Sequence, residues 1–223
     1  VNSMLDSFNP LTGLLPLIGM WLNAIYGGAG VGMVNMFVYI IIGVFICGMM
    51  VGRSPEYLGR KVETREMKLA LLTILVHPLL ILGGTALFTL LPWGAQAVHN
   101  PGAHGFTEIL YEISSAAANN GSGFEGLADN TPPWNIAMGL IMLVARFLPI
   151  VLPLMIVGSL AAKKRIPETA GTLRTDTMLF GVIILGGMVF FGALLFFPFL
   201  VLGPFAGTLA PRGLCPFPKV LPR

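Results

Sequence analysis

The sequence is short of charged residues and of cysteine, and both shortages exclude whole classes of protein. Only 10% of its 223 residues are charged and 55% are hydrophobic, whereas a soluble domain normally carries about 25% charged residues. Because so few charged side chains cannot cover a surface that faces water, we expect a membrane protein. The two cysteines, Cys47 and Cys215, match no metal or redox spacing.

Motifs for ATP chemistry are missing as well. The sequence has no Walker motif and no Asp in a recognisable phosphorylation loop, so we expect no catalytic site in this chain and place any ATP hydrolysis on a partner. The chain begins at Val1 with neither an initiator Met nor the charged head of a signal peptide. We therefore expect a fragment or a processed piece of a longer protein.

Four apolar stretches are long enough to form membrane helices. The first runs from Leu11 to about Met50 and is interrupted by YGGAGVGM, and the others cover 69–91, 134–160 and 178–202. A helix needs about 20 residues to cross the hydrocarbon layer, so the last three predict one crossing each, and the first predicts a helix, a break and a second helix. The segment 106–118 is too short to span and predicts a pore-type half-helix. The predicted fold class is an all-α polytopic membrane protein.

The distribution of basic residues gives the orientation of these spans. Lys and Arg concentrate in 51–68 and 161–177, whereas 92–133 has none. Because cytoplasmic loops carry the excess of Lys and Arg, the two basic segments are predicted to be cytoplasmic and 92–133 to face outward. The half-helix then starts and ends outside.

The polar run NNGSGF, at 119–124, follows the predicted half-helix and has two interpretations. In the first, it is an extended loop whose carbonyl oxygens replace the water shell of a monovalent cation, with Gly121 and Gly123 supplying the backbone freedom. Acidic residues on the half-helix and at its mouth would then attract cations, namely Glu108, Glu112, Glu125 and Asp129. In the second, NNGSG is an ordinary surface turn in one long outer loop.

The stretch YEISSAAANNGSGFEGL (111–127) resembles the fourth selectivity-filter segment of the KdpA family. This family comprises the potassium-binding, channel-like subunits of bacterial Kdp-type ATP-driven potassium pumps. Further stretches agree in order, and the resemblance covers nearly all of residues 1–210: VNSMLDSF (1–8), GGAGVG (27–32), GMMVGRSPEYLGRKVETREMK (48–68), NPGAHGF (100–106), RFLPIVLPLMIVGSLAAKK (146–164) and GTLRTDTMLFG (171–181). The resemblance favours the filter interpretation of the polar run.

The resemblance implies how the chain is organised. The family has four repeats of span, pore helix and span around a pseudo-fourfold pore, and this chain resembles about one and a half of them. Residues 1–68 correspond to the second half of repeat three, with a broken span and a cytoplasmic connection, and 69–160 to repeat four. Residues 161–208 are a cytoplasmic loop and the final span, and 209–223 form an atypical tail.

The resemblance also implies the ligand, the partners and the location. The ligand is a potassium ion, with no covalently bound cofactor and no other metal. The predicted filter residues are Ala118, Asn119, Asn120, Gly121 and Ser122. The implied partners are an ATP-hydrolysing KdpB-like subunit, KdpC-like and KdpF-like accessory subunits and the lipid bilayer, without nucleic acid. The implied location is the bacterial inner membrane, crossed several times.

The glycine-rich stretch GGAGVG (27–32) has a structural and a functional interpretation. Small residues permit close helix packing. Four glycines in six residues, Gly27, Gly28, Gly30 and Gly32, also favour an unwound loop within the membrane. The resemblance implies that this loop lies beneath the filter and limits flow to the cytoplasm, which would make it a gate.

Two arginines are candidates for structural or electrostatic roles. Arg146 is the only basic residue inside a predicted span, where a charge costs about 3 kcal/mol and usually faces a partner in the bundle. We expect it near the filter, paired with a carboxylate such as Glu112 or Glu125 or with loop carbonyls. Arg53 either anchors the chain at the cytoplasmic face or reaches into the cytoplasmic vestibule, and the resemblance implies that its segment contacts the ATP-hydrolysing subunit.

Two other functions remain open. The chain is also compatible with a Trk/Ktr-like potassium transporter subunit that works without ATP. A third possibility is a non-conducting truncated remnant that only packs or assembles.

Overall fold

The computed structural model describes residues 9, 11–26, 32–100, 102–124, 126–167 and 175–209. The helices are α1 (Leu14–Tyr26), α2 (Gly32–Val51), α3 (Thr64–Leu90), α4 (Pro92–Ala95), α5 (Ala103–Ala118), α6 (Pro132–Ala162) and α7 (Met178–Leu200). A short π-helical segment (Val201–Phe205) and α8 (Ala206–Leu209) follow. The predicted mostly helical fold is confirmed.

Three helices are long and apolar enough to cross a membrane, as far as the described residues show: α2, α3 and α6. Their lengths of 20, 27 and 31 residues exceed the length that a crossing requires. In α7, the described apolar part, Met178–Phe190, is shorter. The chain is thus a polytopic membrane protein of the predicted class, with α5 as a short helix between the second and third of these helices.

One small β-hairpin departs from the all-helical prediction. Strands β1 (Glu56–Tyr57) and β2 (Arg60–Lys61) pair antiparallel through a two-residue turn. Both turn residues have positive φ, 51° at Leu58 and 70° at Gly59, as a type I′ turn requires. The amide of Ile166 donates to the carbonyl of Gly59 at 2.8 Å, so this turn is tied to the segment that follows α6.

The chain divides into two compact units. Unit 1 consists of residues 1–24, 77–146 and 194–223, and unit 2 of residues 25–76 and 147–193.

The core of unit 2 is mostly apolar, with a few buried polar residues that include Glu66. Val38, Ile41 and Ile156 are almost fully buried in this core. Gly43 of α2 faces α7 so closely that an added Cβ would overlap the Ile184 side chain. Glu66 is fully buried and binds Nζ of Lys163 at 2.8 Å. This pair joins the beginning of α3 to the residue that follows α6.

Unit 1 is built around α5 and an aromatic cluster. Phe88 packs edge-on against Trp93 and Trp134, with ring centroids 4.9 and 4.3 Å apart. Gly94 lies directly on the carbonyl of Phe88, so that any side chain there would overlap main-chain atoms. Most residues of α5 are buried, and α5 therefore holds the residues on either side of it in a fixed place.

Candidate functional site

The site begins where α5 ends. Asn119 caps the helix in the left-handed conformation, with φ 54° and ψ 32°, and its amide donates to the carbonyl of Ala116 at 3.2 Å. Asn is one of the few residues with a side chain that adopts this conformation readily. The predicted break at 119 is therefore confirmed, and the predicted half-helix is extended at its start to Ala103.

After this cap, the chain runs back along α5 in an irregular loop, and side chains accept the amide groups of its residues 122–124. The amide of Ser122 donates to Oδ1 of Asn120 at 2.9 Å, and that of Gly123 donates to Oγ of Ser115 at 2.8 Å. The amide of Phe124 donates to Glu112. Gly121 and Gly123 have φ of +70° and +53°, which side chains rarely adopt.

The side chains of the loop are also fixed. The hydroxyl oxygens of Tyr111 and Ser122 lie 2.7 Å apart, and Oγ of Ser115 donates to Oδ1 of Asn120 at 3.1 Å. A polar face of α5 therefore holds the loop from Asn120 to Phe124.

The carbonyl groups of residues 119–122 lack the hydrogen-bond partners that the amides of residues 122–124 have in the described part of the chain. Within the described part of the chain, no hydrogen bond reaches the carbonyl oxygens of Asn119, Asn120, Gly121 or Ser122. Asn120 and Gly121 are exposed. Ala118 differs, because its carbonyl accepts a long bond of 3.4 Å from Nδ2 of Asn23. Main-chain oxygens without partners are the groups that can replace the water shell of a cation.

Among the described residues, no three His, Cys, Asp or Glu side chains lie close enough together to hold a metal ion.

Arg146 lies beside the filter segment. Its partner among the described residues is Asn119, and not the carboxylate of Glu112 that the sequence suggested. Its Nε donates to Oδ1 of Asn119 at 3.4 Å. The Asn119 amide group in turn donates to the carbonyls of Ala117 and Met142, at 3.2 and 3.4 Å. The guanidinium therefore acts on the helix cap through a neutral amide. Glu125, the other suggested partner, lies outside the described residues.

The two acidic residues of α5 accept hydrogen bonds from neighbouring amide groups, and their attraction for cations stays a prediction. Glu108 is fully buried and accepts bonds from the amides of His99 and Asn100 and from Nδ2 of Asn100, at 2.8, 3.1 and 2.7 Å. Glu112 accepts from Phe124. Both carboxylates hold the chain segments that flank α5, because buried amides require acceptors.

A second set of contacts around α5 was not expected from the sequence. Nε1 of Trp21 in α1 donates to Oγ of Ser114 at 3.2 Å, and Ser114 donates to the carbonyl of Leu110 at 2.6 Å. The contacts of Glu108, Glu112 and Ser115 with amide groups had a signal in the sequence, because these three polar residues recur at helical spacing within an apolar chain. Such a polar stripe indicates a helix face that binds polar groups.

The other candidate residues lie elsewhere. Of the predicted gate loop, Gly27, Gly28 and Gly30 lie outside the described residues, and Gly32 is the first residue of α2. Arg53 is exposed just after α2, where its amide donates to the carbonyl of Gly48 at 2.8 Å. Arg53 belongs to unit 2, whereas the filter segment and Arg146 belong to unit 1.

Comparison with known proteins gives one consistent family. Residues 1–209 match the family model of KdpA, described as the potassium-transporting ATPase A subunit. Similar curated proteins carry the name potassium-transporting ATPase potassium-binding subunit. That of Flavobacterium psychrophilum is 55% identical over 196 residues, which are 82% of this chain and 34% of the relative. That of Flavobacterium johnsoniae is 53% identical over 195 residues, again 82% and 34%.

A similar protein from another bacterial genus carries the same name. That of Geobacillus kaustophilus is 53% identical over 186 residues, which are 83% of this chain and 33% of the relative. The chain therefore spans about a third of the length of the curated relatives that it matches.

Proposed function

Because the chain belongs to the KdpA family of potassium-transporting ATPase A subunits, we propose that it supplies one filter segment to the potassium-binding subunit of an ATP-driven potassium importer. The ion is bound by main-chain carbonyls between Ala118 and Ser122. The chain itself is non-catalytic. ATP hydrolysis resides on a KdpB-like partner in the bacterial inner membrane, with KdpC-like and KdpF-like subunits completing the complex.

One observation carries the filter proposal. In the loop after α5, side chains satisfy the amides of Ser122, Gly123 and Phe124, while the described residues provide no donor to the carbonyls of 119–122. At membrane depth, unpaired main-chain groups persist only where they are buried in protein or line a wet cavity. The loop therefore presents main-chain acceptors that are available to a cation.

The organisation of the rest of the chain follows from this proposal. Residues 69–160 form one span, pore helix, filter and span repeat, and 1–68 form the second half of the preceding repeat. Residues 161–208 add a cytoplasmic loop and a final span, before the tail 209–223. One filter segment cannot surround an ion, so the remaining segments of a pseudo-fourfold site come from outside this chain. The glycine-rich break before Gly32 restricts the path beneath the filter, and the segment around Arg53 meets the ATP-hydrolysing partner.

The test is a substitution at Gly121 in the potassium-transporting complex that contains this chain. Gly121→Asp adds a side chain at a positive φ and a charge among the carbonyls. We expect the apparent KM for potassium to rise more than about tenfold. The measurement is potassium-dependent ATP hydrolysis and potassium uptake into liposomes. The matched control is Asn130→Asp, which adds the same charge at an exposed position and should leave the KM unchanged.

Three outcomes would contradict the proposal. An unchanged potassium KM in the Gly121→Asp complex would remove the filter assignment. Uptake that proceeds equally without ATP, or without a copurifying ATP-hydrolysing subunit, would favour the ATP-independent Trk/Ktr-like transporter. A chain that assembles but conducts under no condition would favour a structural remnant.

A further inference from the structure

The contacts between α5 and the loop after it do more than satisfy amides, because they also orient carbonyls. The amide of Gly123 donates to Oγ of Ser115 at 2.8 Å, and that of Phe124 donates to Glu112. Each peptide unit is planar and trans, so its C=O points opposite to its N–H. The described part of the chain contains no cis peptide bond. A side chain that fixes one amide therefore also fixes the direction of the preceding carbonyl.

Applied to this loop, the rule assigns a carbonyl to each side chain. Ser115 holds the N–H of Gly123 and thereby turns the carbonyl of Ser122 away from α5. Glu112 holds the N–H of Phe124 and turns the carbonyl of Gly123 away in the same manner. Both carbonyls are then directed to the side of the loop that α5 does not cover.

We propose that Ser115 and Glu112 are positioning residues: Ser115 aims the Ser122 carbonyl of the filter at the bound ion, and Glu112 fixes the peptide unit that follows it. This inference rests on the proposed filter function and adds to it the side chains that set the filter geometry. Neither residue touches the ion. Ser115 has the more central role, because its hydroxyl also donates to Oδ1 of Asn120 at 3.1 Å, and that oxygen accepts the amide of Ser122 at 2.9 Å.

The geometry leaves little room for other arrangements of this loop. Ser115 is 3% exposed, so its lost hydroxyl would not be replaced by bulk water. Gly123 has φ +53°, and an added Cβ there would lie 3.4 Å from Oε2 of Glu112. A buried amide that loses its acceptor retains the full cost of its desolvation. The peptide unit would therefore rotate to find another partner, and the carbonyl would turn with it.

The chain offers a matched control for Ser115 at the preceding position. Ser114 is also buried, at 1% exposure, but its hydroxyl bonds only Trp21 and the carbonyl of Leu110. Ser114→Ala and Ser115→Ala remove the same atom from adjacent positions of one helix. Only the second removes an acceptor from the filter loop.

The experiment compares these variants in the assembled potassium-transporting complex. For Ser115→Ala we expect the apparent KM for potassium to rise about tenfold, with weaker discrimination against sodium and little change in maximal rate per assembled complex, because the partly buried amide of Gly123 loses its acceptor. Ser115→Thr keeps the oxygen and should restore most of the affinity. Ser114→Ala should lower thermal stability and leave both the KM and the discrimination unchanged.

Glu112 provides a second, independent pair of variants. Glu112→Gln keeps an oxygen acceptor for Phe124 and should keep the discrimination against sodium, whereas Glu112→Leu should lose it. Glu108→Gln is the control, because it removes the same charge from a side chain that bonds the segment before α5; it should leave the discrimination against sodium unchanged. If Ser115→Ala does not assemble, the Glu112 variants test the inference through the same KM and discrimination measurements.

The inference is overturned if assembled Ser115→Ala or Glu112→Leu complexes retain the original potassium KM and sodium discrimination. It is also overturned if Ser114→Ala shifts the KM as much as Ser115→Ala, because the effect would then come from the helix as a whole. Measurements on the Gly121→Asp complex distinguish a wrong assignment of the positioning residues from a wrong assignment of the filter. If Gly121→Asp impairs affinity while both positioning variants do not, only the present inference fails.

Discussion

The two units hold their buried carboxylates in different ways. In unit 2, the fully buried Glu66 binds the ammonium group of Lys163 at 2.8 Å, and Lys163 also binds Glu63 at 2.9 Å. In unit 1, Glu108 is equally buried, but its described partners are the neutral amide groups of residues 99 and 100.

The two kinds of partner leave different net charges around the buried carboxylate. An ion pair cancels the field of its carboxylate, whereas amide dipoles only solvate it and leave a net negative charge nearby. The segment 92–133 of unit 1 contains no Lys or Arg, so nothing in it offsets Glu108 and Glu112. In unit 2, the ion pair between Glu66 and Lys163 joins the beginning of α3 to the residue that follows α6.

The prediction with the largest expected effect is that the segment without basic residues and the basic segments lie on opposite sides of the membrane. Cysteine at Asn130, in the segment without basic residues, should react with an impermeant thiol reagent from outside the cell. Cysteine at Lys164, in a basic segment, should react only from the cytoplasmic side. Both positions are exposed. The background lacks Cys47 and Cys215, and labelling of both sites from one side would refute the orientation.

The second prediction breaks the ion pair of unit 2. Lys163→Met leaves Glu66 buried without its cation, and we expect a loss of about 2–3 kcal/mol in the free energy of unfolding, because an uncompensated buried charge is costly. The potassium KM should not change, since Lys163 lies outside the filter unit. Thermal unfolding of the purified complex measures the loss.

A double variant serves as the control for this prediction. Glu66→Leu combined with Lys163→Met removes both charges and should recover most of the stability. A double variant as unstable as Lys163→Met alone would show that packing, and not the unpaired charge, causes the loss.

The smallest expected effect is the pH dependence of the same pair. Burial alone would lower the pKa of Lys163, but hydrogen bonds and the charges of Glu66 and Glu63 outweigh it and raise the pKa above its ordinary 10.5. A raised pKa in the folded state gives stability that is present below the unfolded value and is lost as the pH rises through the folded value. The stability that the raised pKa of Lys163 contributes should therefore stay constant through neutral pH and fall in strong alkali. Lys163→Met should lack this alkaline loss, and an equal loss in both proteins would contradict the assignment.

The sequence predicted the helices well because apolar length alone determines them. Helices α3 and α6 coincide with the predicted spans 69–91 and 134–160 to within a few residues at each end. The end of α5 at Ala118 was also predictable, since an Asn followed by Gly-rich polar residues terminates a helix. The β-hairpin at 56–61 was missed, because two-residue strands leave no detectable alternation in the sequence.

The partners of individual side chains were less predictable, for a physical reason. A carboxylate in an apolar chain has the same sequence signature whether it faces a channel or binds a buried amide. Glu108 and Glu112 were predicted to attract cations from the half-helix, and the structure shows that both also accept hydrogen bonds from main-chain amides. Similarly, composition indicates that Arg146 needs a partner, but only the folded positions of α5 and α6 identify Asn119.

The close approach of Gly43 to Ile184 has a consequence for how this sequence can vary among species. The obstacle to a side chain at position 43 is the terminal methyl of Ile184, which Val does not possess. Alanine at 43 should therefore be tolerated in lineages that carry valine at 184, and the two positions should covary as compensatory partners. A side chain at position 94 cannot be compensated in this way. Its obstacle is the main-chain oxygen of Phe88, which any amino acid at position 88 retains. In a genetic screen, Gly43→Ala should yield second-site revertants at Ile184, whereas Gly94→Ala should yield only true revertants.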